Sequence, residues 1–502
     1  MIGPLEILVL FLLCAFALGI LLALLFFIWW RTRPGRGEVD PFEPPQHHPD
    51  YPPDEFFIQN QVILAGSAVR VNELPLRVAA SGRNVELIEL DRLDYGNTIR
   101  DLKDRCASVP EDLVIVKYKI SGERASVFRA IRVIDEILGE DAGLVVKEPN
   151  WVTGQPYEIE GAPYEIEGAP YEIEGAGGET TVVSAIPDLF MQQWAFKSIG
   201  LSTDRQSYSN ESPSVAVGIF DTEPYPINQV NIQTTISLPS SGPSERMSLQ
   251  ISRVFSRNEI DEVPHVDRVD ATGGKKYGLS NHGIFVAGLI NAITPDSRLY
   301  LYRVLDSNNR GDLFLLLKGI YQFTRDVIAN PEVEKVGSVL NMSLVVRAAP
   351  SEANFGLTSD LLSLNYVLEV ANCLDAVAVS AAGNSSGKSR VPRPASVPAG
   401  MAGVIAVAAN NTHLDRSCFS NCGDVAAPGG DGRDQTQSGG GECKPRVADC
   451  SKDADCLSAL IGPSLKPPFN NENDVEYVFW SGSSFSAPLT SGLAALVVNV
   501  GG

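Results

Sequence analysis

From about residue 187 onward one pattern recurs: a short unbroken apolar run that stops at a small or polar residue. VAVGIF precedes Asp221, YLYRVL precedes Asp306, VLNMSLV covers 339–345, AVAVSAAG precedes Asn384 and GVIAVAA precedes Asn410. Runs that are continuous rather than alternating suit strands buried on both faces of a parallel sheet. Parallel strands need crossovers, and helical segments near 313–328 and 359–372 supply them. The pattern predicts an α/β domain over 187–502. In open sheets of this kind, sites gather beyond the carboxyl ends of the strands, where Asp221 and Asn384 would lie.

The chain ahead of this domain reads as four further segments. Residues 1–36 hold an apolar run, Ile7 to Trp30, without a charged side chain and with Arg31, Arg33 and Arg36 after it. A helix of about 20 apolar residues crosses a hydrocarbon core about 30 Å thick, so 7–30 is expected to be a single membrane span. A cleaved signal peptide is the rival, but it calls for a basic start and a shorter apolar run, and only Glu6 precedes this one. The arginines place the rest of the chain on the cytoplasmic side by the positive-inside rule. Residues 37–55 are a Pro-rich tether.

Residues 56–152 show strand-like QVILAG at 61–66, a helix near 70–80 weakened by Pro75, and strands VELIEL at 85–90 and LVIVKYKI at 113–120. A helix with Val127, Ile131, Ile134 and Leu138 on one face and a last strand, LVVKEP at 144–149, follow. The order β-α-β-β-α-β predicts a ferredoxin-like α+β unit. Within 153–186, PYEIEGA occurs three times over 156–176, and Pro and Gly in every repeat exclude a continuous helix, so this segment is a linker.

The formal net charge of −21 repels a phosphate backbone and sets nucleic-acid binding aside. Cys418, Cys422, Cys443, Cys450 and Cys456 crowd one region as disulfide partners would, against a cytoplasmic placement. Their spacing lacks a paired C-x-x-C and no histidine lies among them, so local disulfides or free thiols are preferred to a zinc site.

Histidine is scarce. His47 and His48 fall in the tether, His265 and His413 in loop-like sequence, and His282 lies in NHGIFVAGLI, a helix start with small residues that allow close backbone approach. The C-terminal GSSFSAP places Ser484 before a long apolar helical run, where backbone N–H groups can stabilise an oxyanion. Taken singly, His282 reads as an ordinary core or surface residue, and Ser483, Ser484 and Ser486 read as helix caps.

In chain order the motifs are GIFDT, NHGIFVAG, AAGN and GSSFSAP. The order Asp, His, Ser separates them from the nucleophile-elbow hydrolases and from the chymotrypsin type. With these motifs, and with DLFMQQWAFKSIGL at 188–201, the chain resembles the subtilisin-like serine proteases from there to its C-terminus. The resemblance implies a three-layer α/β/α fold with a mainly parallel sheet. It implies Ser484 as nucleophile, His282 as base, Asp221 as its support and Asn384 as an oxyanion donor. Ser343, Leu344 and Gly383 would bind the backbone of a protein or peptide substrate. The resemblance also makes 56–152 an inhibitory propeptide of a zymogen, its last strand leading to the active site, with an unrelated spacer domain as the alternative. No cofactor is required, and the structural calcium common in the family has no assignable ligands here.

Several positions depart from the family pattern. Glu223 replaces a glycine after the Asp motif, Ile284 and Phe285 follow His-Gly, Val345 replaces a glycine in the substrate segment, and Ser483 and Phe485 flank Ser484. The rival reading is a catalytically inactive, membrane-tethered peptide-binding module on the same fold. Long segments at about 224–265 and 429–475 exceed compact family members and have no assigned role.

Overall fold

The computed structural model describes residues 56–101, 105–123, 126–154, 190–201, 215–223, 232–237, 246–254, 281–306, 309–328, 337–347, 361–387, 391–430, 432–433, 444–445, 459–465 and 475–501. The expected span at 7–30, the tether at 37–55 and the repeats at 156–176 lie outside the described residues. Among the described residues no helix is long and apolar enough to cross a membrane. The chain divides into Met1–Pro44 and Pro45–Gly502, and every described residue belongs to the second unit.

The N-terminal part runs β1 (Phe57–Ser67), α1 (Ala68–Ala80), β2 (Glu86–Asp94), a short α2 (Gly96–Asp101), β3 (Leu113–Ser121), α3 (Val127–Leu138) and β4 (Val145–Gly154). Its strands are antiparallel and ordered β2-β3-β1-β4. Pro75 lies inside α1 without ending it, because Val71, Leu74 and Val78 anchor the turns on either side in the core. Ser126 caps α3, its hydroxyl accepting from the Arg129 N–H at 3.2 Å. Along α3, Val127, Ala130, Val133, Ile134 and Leu138 are buried, whereas Ile131 is only half-buried. The short α2 has no apolar periodicity and was not expected from the sequence.

The second part begins with a helical turn, α4 (Trp194–Ser198), and continues through β5 (Ala216–Asp221), β6 (Ile232–Ser237), β7 (Arg246–Arg253), α5 (His282–Ile293), β8 (Arg298–Arg303), β9 (Arg310–Asp312) and α6 (Leu313–Phe323). Next come β10 (Ser338–Met342), β11 (Val345–Val346), α7 (Leu362–Cys373), β12 (Ala376–Ala381), β13 (Val404–Asn410) and β14 (Val425–Pro428). Two small ribbons, β15 (Gly432–Arg433) with β16 (Lys444–Pro445) and β17 (Leu460–Leu465) with β18 (Val475–Trp480), precede α8 (Ser483–Gly501).

The main sheet is ordered β14-β13-β12-β10-β5-β8-β7-β6, parallel except for the antiparallel edge strand β6. One face is covered by α5 and α8, whose Ile284, Leu289, Phe485 and Leu489 share a core with Val217, Ile219, Val339 and Val379 of the sheet. On the other face, the ring of Phe323 in α6 would lie 2.9 Å from a Cβ at Gly218, and it meets Phe220 edge-on. The subtilisin-like α/β fold with a parallel sheet is therefore present. Strands β6 and β7 fall in the 224–265 segment, extending the sheet beyond β8.

The run at 339–345 does not form one strand. Residues 338–342 stay in the main sheet as β10, while Val345–Val346 leave it and pair antiparallel with Gly154 and Thr153 of β4. On its other side the end of β4 pairs with β9, Val152 opposite Asp312 and Gly154 opposite Arg310. The two parts thus share backbone hydrogen bonds. Two polar side chains of β4 reinforce the join at helix starts: Asn150 Oδ1 accepts from the Phe314 N–H of α6 at 3.0 Å, and Glu148 Oε1 accepts from the Ser363 N–H of α7 at 3.2 Å. Both helix N-termini carry unsatisfied N–H donors and partial positive charge, so an amide and a carboxylate are suitable partners.

Candidate active site

Asp221 is the last residue of β5 and His282 the first of α5, and packing brings their side chains together although 61 residues separate them. His282 Nδ1 lies 2.8 Å from Asp221 Oδ1 and 2.9 Å from Oδ2, with both residues at most 1% exposed. The carboxylate also accepts the Thr222 N–H at 2.6 Å. A carboxylate on Nδ1 places the ring's proton there and leaves Nε2 as the acceptor. Nε2 is buried and makes no hydrogen bond.

Gly283 explains why the helix can start so close to the Asp motif. A Cβ there would sit 2.2 Å from the Thr222 carbonyl oxygen and 3.2 Å from Asp221 Cβ. The remainder of α5 is buried all round, as its Ile-Phe-Val-Ala-Gly-Leu-Ile sequence requires. Asn281 anchors the preceding turn through two hydrogen bonds to Leu465 of β17, donating to its carbonyl at 2.9 Å and accepting from its N–H at 3.0 Å.

Ser484 is the second residue of α8 and is 3% exposed. Its carbonyl accepts from the Ser343 hydroxyl at 2.8 Å, and that hydroxyl in turn accepts from Asn341 Nδ2 at 3.1 Å. Asn384, three residues beyond β12, accepts the Ser483 N–H on its Oδ1 at 3.0 Å, which leaves the Nδ2 end of the amide as its donor end. Gly383 has φ +107 and donates its N–H to Ser483 Oγ at 3.2 Å. A side chain at Gly383 would collide with Asn421 and Ser396, 2.6 and 2.7 Å from its Cβ. Ser486 of the motif donates to the Pro428 carbonyl, and Ser491 further along α8 donates to Asn341.

Ser343 and Leu344, expected to meet a substrate backbone, are fully buried, and the Ser343 hydroxyl turns toward Ser484. The next two residues, Val345 and Val346, pair with Gly154 and Thr153 of β4. The strand that occupies the ladder is the end of β4, held between β9 and β11. Gly311 permits this approach, since a Cβ there would lie 2.9 Å from Thr153 Oγ1 and 2.1 Å from the Val304 carbonyl.

Sequence reasoning missed the aromatic surroundings of His282. Trp480 meets the imidazole edge-on and Phe485 meets it tilted, each at 5.1 Å between centroids, and Phe285 packs against both aromatics. It also missed the role of Glu223. This carboxylate is fully buried, and its Oε1 pairs with Arg303 at 3.3 Å, the residue that sits opposite Asp221 in the sheet. The only signal was the charge at a position where the family pattern has glycine.

Among the described residues no group of three or more His, Cys, Asp or Glu is placed to hold a metal ion. Of the clustered cysteines, Cys418 is disulfide-bonded and Cys422 is an exposed thiol, while Cys443, Cys450 and Cys456 lie outside the described residues. A second disulfide, Cys106–Cys373, joins the two parts of the chain and was not foreseen.

Comparison with known proteins places this arrangement. The Peptidase_S8 model, described as the subtilase family, matches residues 176–501. Subtilisin from Bacillus pumilus is 33% identical over 222 residues, covering 41% of this chain and 72% of its own length. The minor extracellular protease Epr of Bacillus subtilis is 30% identical over 162 residues, covering 30% of this chain and 21% of its own. For subtilisin amylosacchariticus of Bacillus subtilis subsp. amylosacchariticus the corresponding values are 28% over 235 residues, 44% and 55%, so the chain spans about half or less of these two curated relatives. Among solved structures, the epidermin leader peptide processing serine protease of Staphylococcus aureus matches with a TM-score of 0.48 and 15% identity over 88% of each chain. With the family model spanning most of its length, including every motif around Asp221, His282, Asn384 and Ser484, the chain belongs to the subtilase family.

Proposed function

We propose that this chain is a serine endopeptidase that hydrolyses peptide bonds of a protein or peptide substrate and is made as a zymogen. The observation that carries the reading is the buried Asp221–His282 contact, with Nε2 left as acceptor, on the same side of the sheet as the helix that begins at Ser483. Ser484 Oγ would attack the scissile carbonyl and pass its proton to His282 Nε2. Asp221 would hold the ring and stabilise the imidazolium, and His282 would then return the proton to the leaving amine. The Ser484 N–H at the start of α8 and the Asn384 amide would receive the oxyanion.

Substrate would enter as the middle strand between β9 and β11, its backbone pairing with Gly311 and Val345–Val346. The end of β4 already takes this place, which supports reading 56–152 as a ferredoxin-like propeptide that blocks its own enzyme. Self-cleavage beyond Gly154, within the linker, would complete processing.

Residues 7–30 would anchor the zymogen as a single membrane span. The arginines after it argue for a cytoplasmic catalytic domain, but the Cys106–Cys373 bond argues for an oxidising compartment, because disulfides rarely persist in a reducing cytosol. We weigh the disulfide above the arginines and so favour the oxidising side for the catalytic domain.

Labelling with a serine-reactive fluorophosphonate tests the activity. After removal of residues 56–152, the wild type is expected to label at Ser484 and Ser484→Ala is not. A wild type that stays unlabelled would leave only the peptide-binding module. N-terminal mapping tests self-processing, which is excluded if Ser484→Ala is cut as completely as the wild type.

A further inference from the structure

Cys106 lies in the connection from α2 to β3 of the N-terminal part, and Cys373 is the last residue of α7 in the catalytic part. Their disulfide spans 267 residues of sequence, with Cα atoms 5.7 Å apart. The bond is buried, Cys106 being 2% and Cys373 7% exposed. Polar contacts surround it: Arg105 pairs with Asp375, and the Ser108 hydroxyl donates to Glu369 at 2.9 Å. A second cluster at the same junction joins Lys318 to Asp91 at 2.6 Å and Tyr321 to the Asp94 carbonyl at 3.0 Å. The disulfide therefore crosses the inhibitor-to-enzyme junction itself. Cutting the chain between Gly154 and Phe190 leaves both cysteines joined.

We propose that Cys106–Cys373 retains the N-terminal domain as a covalently bound inhibitor, so that cleavage of the linker yields a two-chain protein that stays blocked until this bond is reduced. The proposal rests on the reading that residues 152–154 fill the substrate cleft. Two domains held by a short tether meet at an effective concentration of about millimolar order. Were docking alone to have a dissociation constant of micromolar order, the open fraction would be roughly one part in a thousand. Release requires a dithiol reductant. One of its thiolates attacks a cysteine sulfur, the S–S bond breaks, and the departing sulfur takes a proton. The second thiolate then closes on the mixed disulfide, freeing the other cysteine as a thiol and leaving the reductant as an internal disulfide. Two electrons and two protons pass to the protein. Burial makes the step slow while the domains are docked, so the bond acts as a latch rather than a rapid switch.

The test uses the full chain in detergent, with the middle repeat, residues 163–169, replaced by the recognition sequence of an exogenous protease. After cutting, a non-reducing gel should show one species and a reducing gel two. Fluorophosphonate labelling of the cut, unreduced protein should be at least about a hundredfold slower than after dithiothreitol. The Cys106→Ser/Cys373→Ser variant should separate and label without reductant, which distinguishes this bond from the disulfide at Cys418. The comparison of wild type with and without dithiothreitol stands even if that variant folds poorly. Fragments that separate without reductant overturn the tether, and cut, unreduced protein that labels at the reduced rate overturns the retained inhibition. If no sample labels, the protease reading falls along with the inhibition, while the gel still decides the tether.

Discussion

Gly283→Ala is expected to disable the site without unfolding the protein. The added methyl carbon would lie 2.2 Å from the Thr222 carbonyl oxygen, 2.9 Å from Leu301 Cδ1 and 3.2 Å from Asp221 Cβ. Leu301 can turn away, but the carbonyl belongs to backbone that follows directly on Asp221 at the end of β5. Ordinary contact needs about 3.4 Å, so the start of α5 must retreat by about 1 Å, and a misplacement of that size costs about 100-fold in rate. Because His282 adjoins the substituted residue, its 2.8 and 2.9 Å contacts with Asp221 lengthen first. Overpacking of this kind costs about 1–3 kcal/mol. The better helix propensity of alanine returns at most about 1 kcal/mol. The expected result is a fall of about 100-fold or more in kcat/KM, with the domain still folded and Tm lowered by a few degrees. Measurement pairs peptide hydrolysis with thermal unfolding on the processed enzyme. An activity within about threefold of wild type would refute the claim that Gly283 sets the Asp221–His282 geometry.

If Asn384 is the oxyanion donor proposed above, Asn384→Ala should lower kcat about 100- to 1000-fold with little change in KM, as read by steady-state kinetics. Glu223→Gln deprives buried Arg303 of the carboxylate at 3.3 Å and should cost about 3 kcal/mol, whereas Glu223→Met with Arg303→Met should recover most of it. Chemical unfolding of the three proteins decides the point, and equal midpoints for wild type and the single variant would remove the pair from the stability account. Gly311→Val should push out the strand at 152–154 and weaken both propeptide inhibition and peptide hydrolysis, the latter mainly through KM; an unchanged inhibition constant for added propeptide would contradict the strand assignment.

Much of the fold was legible because burial on both faces writes itself into sequence as unbroken apolar runs, and β5, β8, β10, β12 and β13 lie where such runs predicted them. Strand β7 escaped that criterion. Met247, Leu249 and Ile251 are buried while the residues between them face outward, so its sequence alternates like a strand covered on one side. Asp221, His282, Asn384 and Ser484 could be nominated from short motifs, since each depends on small neighbours that allow close approach. The partners of those residues could not. Trp480 reaches His282 and Ser343 reaches Ser484 only through packing of separate elements, and no local spacing encodes such contacts.

Sequence alone thus marked the central strands β5, β8, β10, β12 and β13 and nominated candidate groups for chemistry, because both follow from local pattern and side-chain type. Tertiary structure decided that the β4 tail pairs with Val345 and Val346, and that Cys106 meets Cys373. Each of these is a contact across a long stretch of chain, set by how whole domains dock, and a disulfide forms wherever docking brings two sulfurs into reach.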